Sequence, residues 1–225
     1  NMYYGIDSDT AVFPTGATTR DFYAGRIGSG TTADSRYFNT TGAYLANARY
    51  AYWGIKGPQS DPNFSTPYSM SQAQDWGARQ AAAAISAYGS NSYVNRMTIF
   101  ADIEAGFGGW YLYTPSDPGW TIPGGMNWGV YIGFVQVITN AGYYCGTYTS
   151  NDNWQEIMGT VNNVYTSELW GANWPGYTFN NPPTSFANCQ AVNGTTPVMW
   201  QYYGETGTHD PFVTGDASIA TSLPA

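Results

Sequence analysis

Short apolar runs alternate along this chain with stretches of helical spacing, a pattern that favours an α/β layout. The runs that read as strands are Met2–Asp7, Phe22–Ile27, Arg49–Gly54, Met97–Ile103, Tyr143–Tyr148, Leu169–Asn173 and Val198–Tyr203, with a short eighth within Phe212–Ala220. The clearest helix is predicted from about Ser71 to Tyr88. Ser69 or Ser71 can cap it, with Gln72 or Gln74 three residues on, and Gly89 is placed to end it. Its alanines, Ala78 and Ala81 through Ala84, suit close packing against a sheet. A second helix, from about Met126 to Ala141, is apolar nearly all round and is expected to be buried. Asn153–Met158 reads as a shorter third helix and Thr40–Ala48 as a fourth.

After Leu169 the helical signal stops. Residues 174–197 are rich in Asn, Pro and Gly, and residues 204–211 are too few for a crossover helix. Strand–helix units therefore fill the first two thirds, and helix-free strands follow. A closed eight-strand barrel fits this count, as one domain over residues 1–225. An open doubly wound sheet is the competitor, but Gly25-Arg-Ile-Gly28-Ser-Gly30 does not match its glycine-rich fingerprint.

Composition narrows the function. Seven Lys+Arg, only one of them Lys, face 15 Asp+Glu, for a formal charge of −8. Nucleic acid and anionic membrane surfaces both need a basic face, so neither is expected as a partner. With 10% charged and 17% aromatic residues, the surface must be largely neutral-polar and aromatic, which suits sugars. No apolar run approaches the roughly 20 residues that span a bilayer. The chain opens on Asn1-Met-Tyr-Tyr without a signal peptide, as a trimmed secreted protein or a piece of a longer chain would. A secreted monomer without cofactor is the expectation. Cys145 and Cys189, the two cysteines, can form one disulfide or remain as buried free thiols.

The sharpest chemical signal is Asp102 with Glu104. Residues i and i+2 of a strand share a face, with α-carbons about 6.5–7 Å apart. Here they end an otherwise apolar strand, at the end where barrel active sites gather. Crowded carboxylates raise one another's pKa, leaving one able to donate a proton near neutrality. Glycosidic cleavage needs such a donor and a second carboxylate at the anomeric carbon. Asp7 and Asp9 follow the first strand, where Asp7 is a candidate third carboxylate and Asp9 is also good turn chemistry. Asp210 and Asp216 sit on the last segment and can reach the mouth. His209 is the only histidine, which disfavours an imidazole-based metal centre, and no metal is expected. Tyr148, Trp174, Trp200, Tyr202 and Trp110 lie at or near strand ends and are candidates for stacking on sugar rings.

The series Gly5-Ile-Asp7, Phe100-Ala-Asp102-Ile-Glu104, Gly146-Thr-Tyr148-Thr-Ser, Leu169-Trp-Gly-Ala-Asn-Trp174 and Met199-Trp-Gln-Tyr202 resembles the glycoside hydrolase family 25 lysozymes. It is closer still to the related glycoside hydrolase-like family called domain of unknown function 1906. The resemblance runs from residue 5 to about 220. It implies a modified TIM barrel, with five strand–helix units followed by three strands lacking helices. It also implies hydrolysis of the β-1,4 bond between N-acetylmuramic acid and N-acetylglucosamine in peptidoglycan. The carboxylate pair on a strand end itself predicts a retaining-type or substrate-assisted glycosidase acting on a cell-wall or other N-acetylhexosamine-containing polysaccharide. On that resemblance Glu104 is the general acid and Asp102 orients the acetamido group or the oxocarbenium-like centre. Asp7 takes the first-strand aspartate position and Tyr148 that of the site tyrosine, while Asp216, with Asp210 as the alternative, fits the closing-segment position. The chain departs from family 25 in Asp7-Ser-Asp-Thr, with no following Gln-Gly, and in Gly215-Asp216-Ala-Ser218 where the family has Asp-x-Asn. Two other functions are compatible with these residues. One is a non-catalytic glycan-binding barrel at a cell surface. The other is a phosphodiesterase holding a hard cation on Asp7, Asp9, Asp102 and Glu104, although basic groups for the phosphate are scarce.

Overall fold

The computed structural model describes residues 1–7, 20–179, 181–204 and 216–225. Among these, the strands are β1 (Tyr3–Asp7), β2 (Arg20–Ser29), β3 (Thr32–Ala33), β4 (Ala46–Gly54), β5 (Thr98–Asp102), β6 (Tyr144–Thr149), β7 (Glu168–Ala172), β8 (Met199–Tyr203) and β9 (Asp216–Ala220). Eight of them close a barrel in the order β1-β2-β4-β5-β6-β7-β8-β9, while β3 lies outside as a short partner of β2. Pairing is parallel from β1 through β8, and β9 runs antiparallel to both β8 and β1. Because β9 enters from the opposite end, its first residue, Asp216, pairs with the last residue of β1, Asp7.

A period of two sorts each strand into an inner and an outer set. Phe22, Tyr50, Phe100, Trp170 and Met199 fill the interior, with rings packed edge to face. The Tyr50–Phe100 centroids are 5.7 Å apart and the Phe100–Trp170 centroids 5.4 Å. At the closed end, Tyr50 Oη donates to the Pro224 carbonyl at 2.7 Å. The alternate residues, among them Tyr23, Trp53, Ile99, Ala101 and Leu169, face outward into the layer shared with the helices.

Helices α1 (Thr40–Tyr44), α2 (Met70–Gly89), α3 (Thr121–Asn140) and α4 (Asn151–Met158) follow β2, β4, β5 and β6 respectively. The connection from β1 to β2 spans residues 8–19, outside the described residues, so four of the five expected strand–helix units are visible. No helix occurs among the described residues between β7 and β9. None of the described helices is long and apolar enough to cross a membrane. Ser69 caps α2 in a reciprocal box with Gln72, as the spacing predicts: Gln72 N donates to Ser69 Oγ (3.1 Å) and Ser69 N to Gln72 Oε1 (2.8 Å). Gly89 lies within the last turn rather than beyond it, and Ser90 caps the helix. The start of α3 lies at Thr121, not near Met126. Pro123 is tolerated there because first-turn N–H groups lack helical partners anyway. The first helix stops at Tyr44 rather than Ala48, since Ala46 and Ala48 pair with Arg20 and Phe22 of β2.

The expected disulfide is not formed. Cys145 is buried in the strand–helix layer, whereas Cys189 sits half-buried in a separate cluster around Trp200 and Tyr202. Burial pushes the Cys189 thiol up to about 12 and that of Cys145 higher still, so both stay protonated at neutral pH.

Ala81 and Ala84 of α2 lie buried in the layer shared with the strands, and the helix makes its closest backbone approach to α3. A β-carbon on Gly77 would stand 1.9 Å from the Val130 carbonyl oxygen, and one on Gly133 2.1 Å from that of Gln74. Backbone touches backbone at this crossing, so no side chain can move aside. Gly77→Ala is expected to destabilise the fold by about 1–3 kcal/mol or more despite alanine's better helix propensity, read as a lowered urea midpoint.

Candidate active site

Four carboxylates arrive at one mouth from three strands. Asp7 ends β1, Asp102 ends β5 with Glu104 two residues beyond, and Asp216 begins the reversed β9. All four line a cleft of about 160 Å³, together with Arg26, Tyr52, Phe107, Tyr148, Trp170 and Trp174. A second hollow of about 420 Å³ shares Glu104, Tyr148 and Trp174 and continues over Asp152, Asn153, Asn173 and Gln190. Glu104 thus stands where a deep cleft meets a wider groove. Its backbone is held on several sides. Trp110 Nε1 donates to the Glu104 carbonyl (3.2 Å), Ala105 N donates to Asn153 Oδ1 (2.8 Å), and Ile103 N donates to the Tyr148 carbonyl (2.9 Å).

The opposite wall is organised by Gln201, which is 1% exposed on β8. Its Nε2 donates to Asp7 Oδ2 at 2.8 Å and to Asp216 Oδ2 at 3.3 Å. Its Oε1 accepts from Tyr148 Oη at 2.8 Å and from Trp174 Nε1 at 3.2 Å. An indole N–H can only donate and an ionised carboxylate can only accept, so these partners determine which way the amide points.

Asp102 is 2% exposed, and burial is the main cause that raises its pKa well above the usual carboxylate range. The Glu104 charge and a hydrogen bond between the two carboxyls add to the rise, and Arg26 opposes it. Asp102 therefore retains a proton where an ordinary aspartate has lost one. Asp102 Oδ1 has no hydrogen-bond partner among the described residues. Tyr148 is likewise pushed far up, by burial first and then by Glu104, Asp7, Asp102 and Asp216, so it stays a neutral donor.

No family model matches the chain, and no curated protein matches it, so the likeness to domain of unknown function 1906 rests on residues alone. Solved structures do match. The catalytic domain of endolysin ply40 from bacteriophage P40 of Listeria monocytogenes aligns over 99% of this chain and 94% of its own, with TM-score 0.55 and 14% identity. A family 25 glycosyl hydrolase from Bacillus anthracis aligns over 98% and 89%, with TM-score 0.54 and 13% identity. A bacterial lysozyme from Streptomyces coelicolor aligns over 98% and 92%, with TM-score 0.50 and 17% identity. The fold is family 25-like.

Within this family 25-like barrel, Asp7, Asp102, Glu104, Asp216, Tyr148 and Trp174 come together at the cleft. Trp200 and Tyr202 do not. They occupy the outward positions of β8, packed under Tyr177 and Phe186 on the helix-free side, and Trp200 Nε1 donates to the Asn173 carbonyl at 2.9 Å. Trp110 is buried behind the Glu104 loop and supports it without lining the cleft. Asp9, His209 and Asp210 lie outside the described residues. Arg26, Tyr52, Phe107, Trp170 and Gln201 are cleft or wall residues not anticipated from sequence. Alternation along Met199-Trp-Gln-Tyr was the available signal for Gln201, since Met199 faces inward and Gln201 must follow it.

Replacing Gln201 with Met keeps its volume but removes a donor from Asp7 and an acceptor from Tyr148 and Trp174. We expect about 1–3 kcal/mol of lost stability in urea unfolding at pH 7.

Proposed function

We propose that this protein is a lysozyme-type glycoside hydrolase acting on β-1,4 bonds of peptidoglycan or a related N-acetylhexosamine-containing polysaccharide outside the cell. The observation that carries the reading is the convergence of Asp7, Asp102, Glu104 and Asp216 on one cleft. The likeness to a glycosyl hydrolase, a lysozyme and an endolysin supports it.

In this reading a sugar chain lies along the joined cleft and groove, with the scissile oxygen beside Glu104. Glu104 donates a proton to the leaving oxygen, and the C–O bond to the leaving sugar breaks as positive charge builds at the anomeric carbon. Asp102 and Glu104 stand two residues apart at one strand end and in this reading lie on the same side of the anomeric carbon, whereas retaining pairs flank it from opposite faces. The arrangement therefore favours substrate assistance. The acetamido oxygen attacks the anomeric carbon, and Asp102 orients the acetamido N–H. Asp7 and Asp216 stabilise the developing cation across the cleft, and the half-exposed Trp174 offers its ring to a sugar face.

Incubation with purified peptidoglycan is expected to generate new reducing ends, and Glu104→Gln to lower that rate by about 10²–10⁴-fold. Unchanged turnover in the variant would refute the acid assignment. Retention of glycan by the parent protein with no new ends after long incubation would favour the binding-only function. Activity is expected to fall as pH rises through the raised pKa of Asp102, because the proton held beside Glu104 is then lost.

Asp102 also makes stability depend on pH. A buried carboxyl whose folded pKa is raised costs nothing below its unfolded value, about 3.9, and destabilises progressively as pH climbs towards the folded value. Asp102→Asn should therefore melt higher than the parent at pH 7, and the gap should close near pH 4, while activity drops.

A further inference from the structure

Arg26 is a cation in an acidic cleft, and among the described residues it forms no ion pair with the acids around it. It projects from β2 into the same cleft as Asp7, Asp102 and Glu104. Its guanidinium lies 3.7 Å from the ring centroid of Tyr37 and 5.4 Å from that of Phe107, held by the two faces. The ion pairs among the described residues use Arg36 and Arg79 instead. Asp34, whose charge Arg26 also feels, is taken by Arg36 through contacts of 2.7, 3.0 and 3.3 Å.

A guanidinium placed to neutralise cleft carboxylates would bridge to one of them, because the bidentate geometry is the strongest it can make. Stacking on an aromatic face instead immobilises the group while leaving its edge N–H donors unspent. A wholly neutral sugar would give such a fork little reason to stand there.

We propose that Arg26 forms an anion subsite at the wall of the cleft, which takes a carboxylate carried on the glycan chain itself. This rests on the cleft being the glycan site. The carboxylate that suits it is a lactyl ether acid, as on muramic acid from which the stem peptide has been removed. In an intact stem that carboxyl is tied up as an amide and carries no charge. The preferred strand is then one already released from its peptides by hydrolysis of that amide.

The test uses peptide-stripped glycan strands, before and after their carboxylates are reduced to alcohols. Binding is measured by calorimetry on the Glu104→Gln protein, so that cleavage does not intervene. Carboxyl reduction is expected to weaken binding roughly tenfold or more. Adding Arg26→Gln should bring binding of the charged strand down to that of the reduced one and leave the reduced strand's binding unchanged. Arg26→Lys, which keeps the charge but loses the fork, should fall between. Equal binding of charged and reduced strands to the Arg26-containing protein would overturn the anion subsite while leaving the glycan site standing. An equal loss for both strands on Arg26→Gln would overturn it too, marking Arg26 as acting on the cleft carboxylates. Failure to bind either strand would overturn the subsite and the glycan reading together.

Discussion

The antiparallel ladder between β9 and β1 is the constraint on which the molecule turns. It runs through five residue pairs, from Tyr3↔Ala220 to Asp7↔Asp216, while the far side of β9 pairs with β8. Without β9, the parallel sheet would keep two open edges and an aromatic interior exposed along the seam. Closing it with a reversed strand also has a chemical effect. Strands running the common way deliver their last residues to the mouth, and β9 delivers its first. Asp7 and Asp216 are thereby set side by side, sharing one amide, which concentrates charge that a low-dielectric rim makes expensive to bury.

The interior explains how that charge is tolerated. Aromatic rings occupy the barrel up to the level of the carboxylates, with Tyr148 and Trp170 centroids 4.5 Å apart directly beneath them. Water is kept from the lower side of Asp102, so the proton stays. The Gln201 amide donates to Asp7 and Asp216, and Tyr148 donates in turn to that amide's oxygen. A composition low in lysine and arginine is consistent with this solution: the acids of the mouth are balanced by retained protons and amide donors more than by cations.

Most of the scaffold was legible because its signals are local. Short apolar runs marked every barrel strand, the Ser69–Gln72 spacing marked the start of α2, and the silence after Leu169 marked the strands without helices. Asp102 and Glu104 were legible because strand geometry alone puts i and i+2 on one face. What escaped was decided by partners far away in the chain. Trp200 and Tyr202 look like ligand-stacking residues until Tyr177, Phe179 and Phe186 are seen to pack on them. The two cysteines invite a bond, yet they belong to different packed layers. Arg26 gains its meaning from Tyr37 and Phe107, which the strand's own sequence does not announce.

The four-way bonding of Gln201 has a consequence for anyone reshaping this mouth. A glutamate would fill the same space almost atom for atom, yet it would set an acceptor against Asp7 and Asp216 where they now find a donor. Size is therefore the lesser requirement at this position and polarity the greater one. Residues 7, 148, 174, 201 and 216 make up a single design unit. Redesign for a new ligand has to exchange them as a set, because each one's bonding direction is defined by the others.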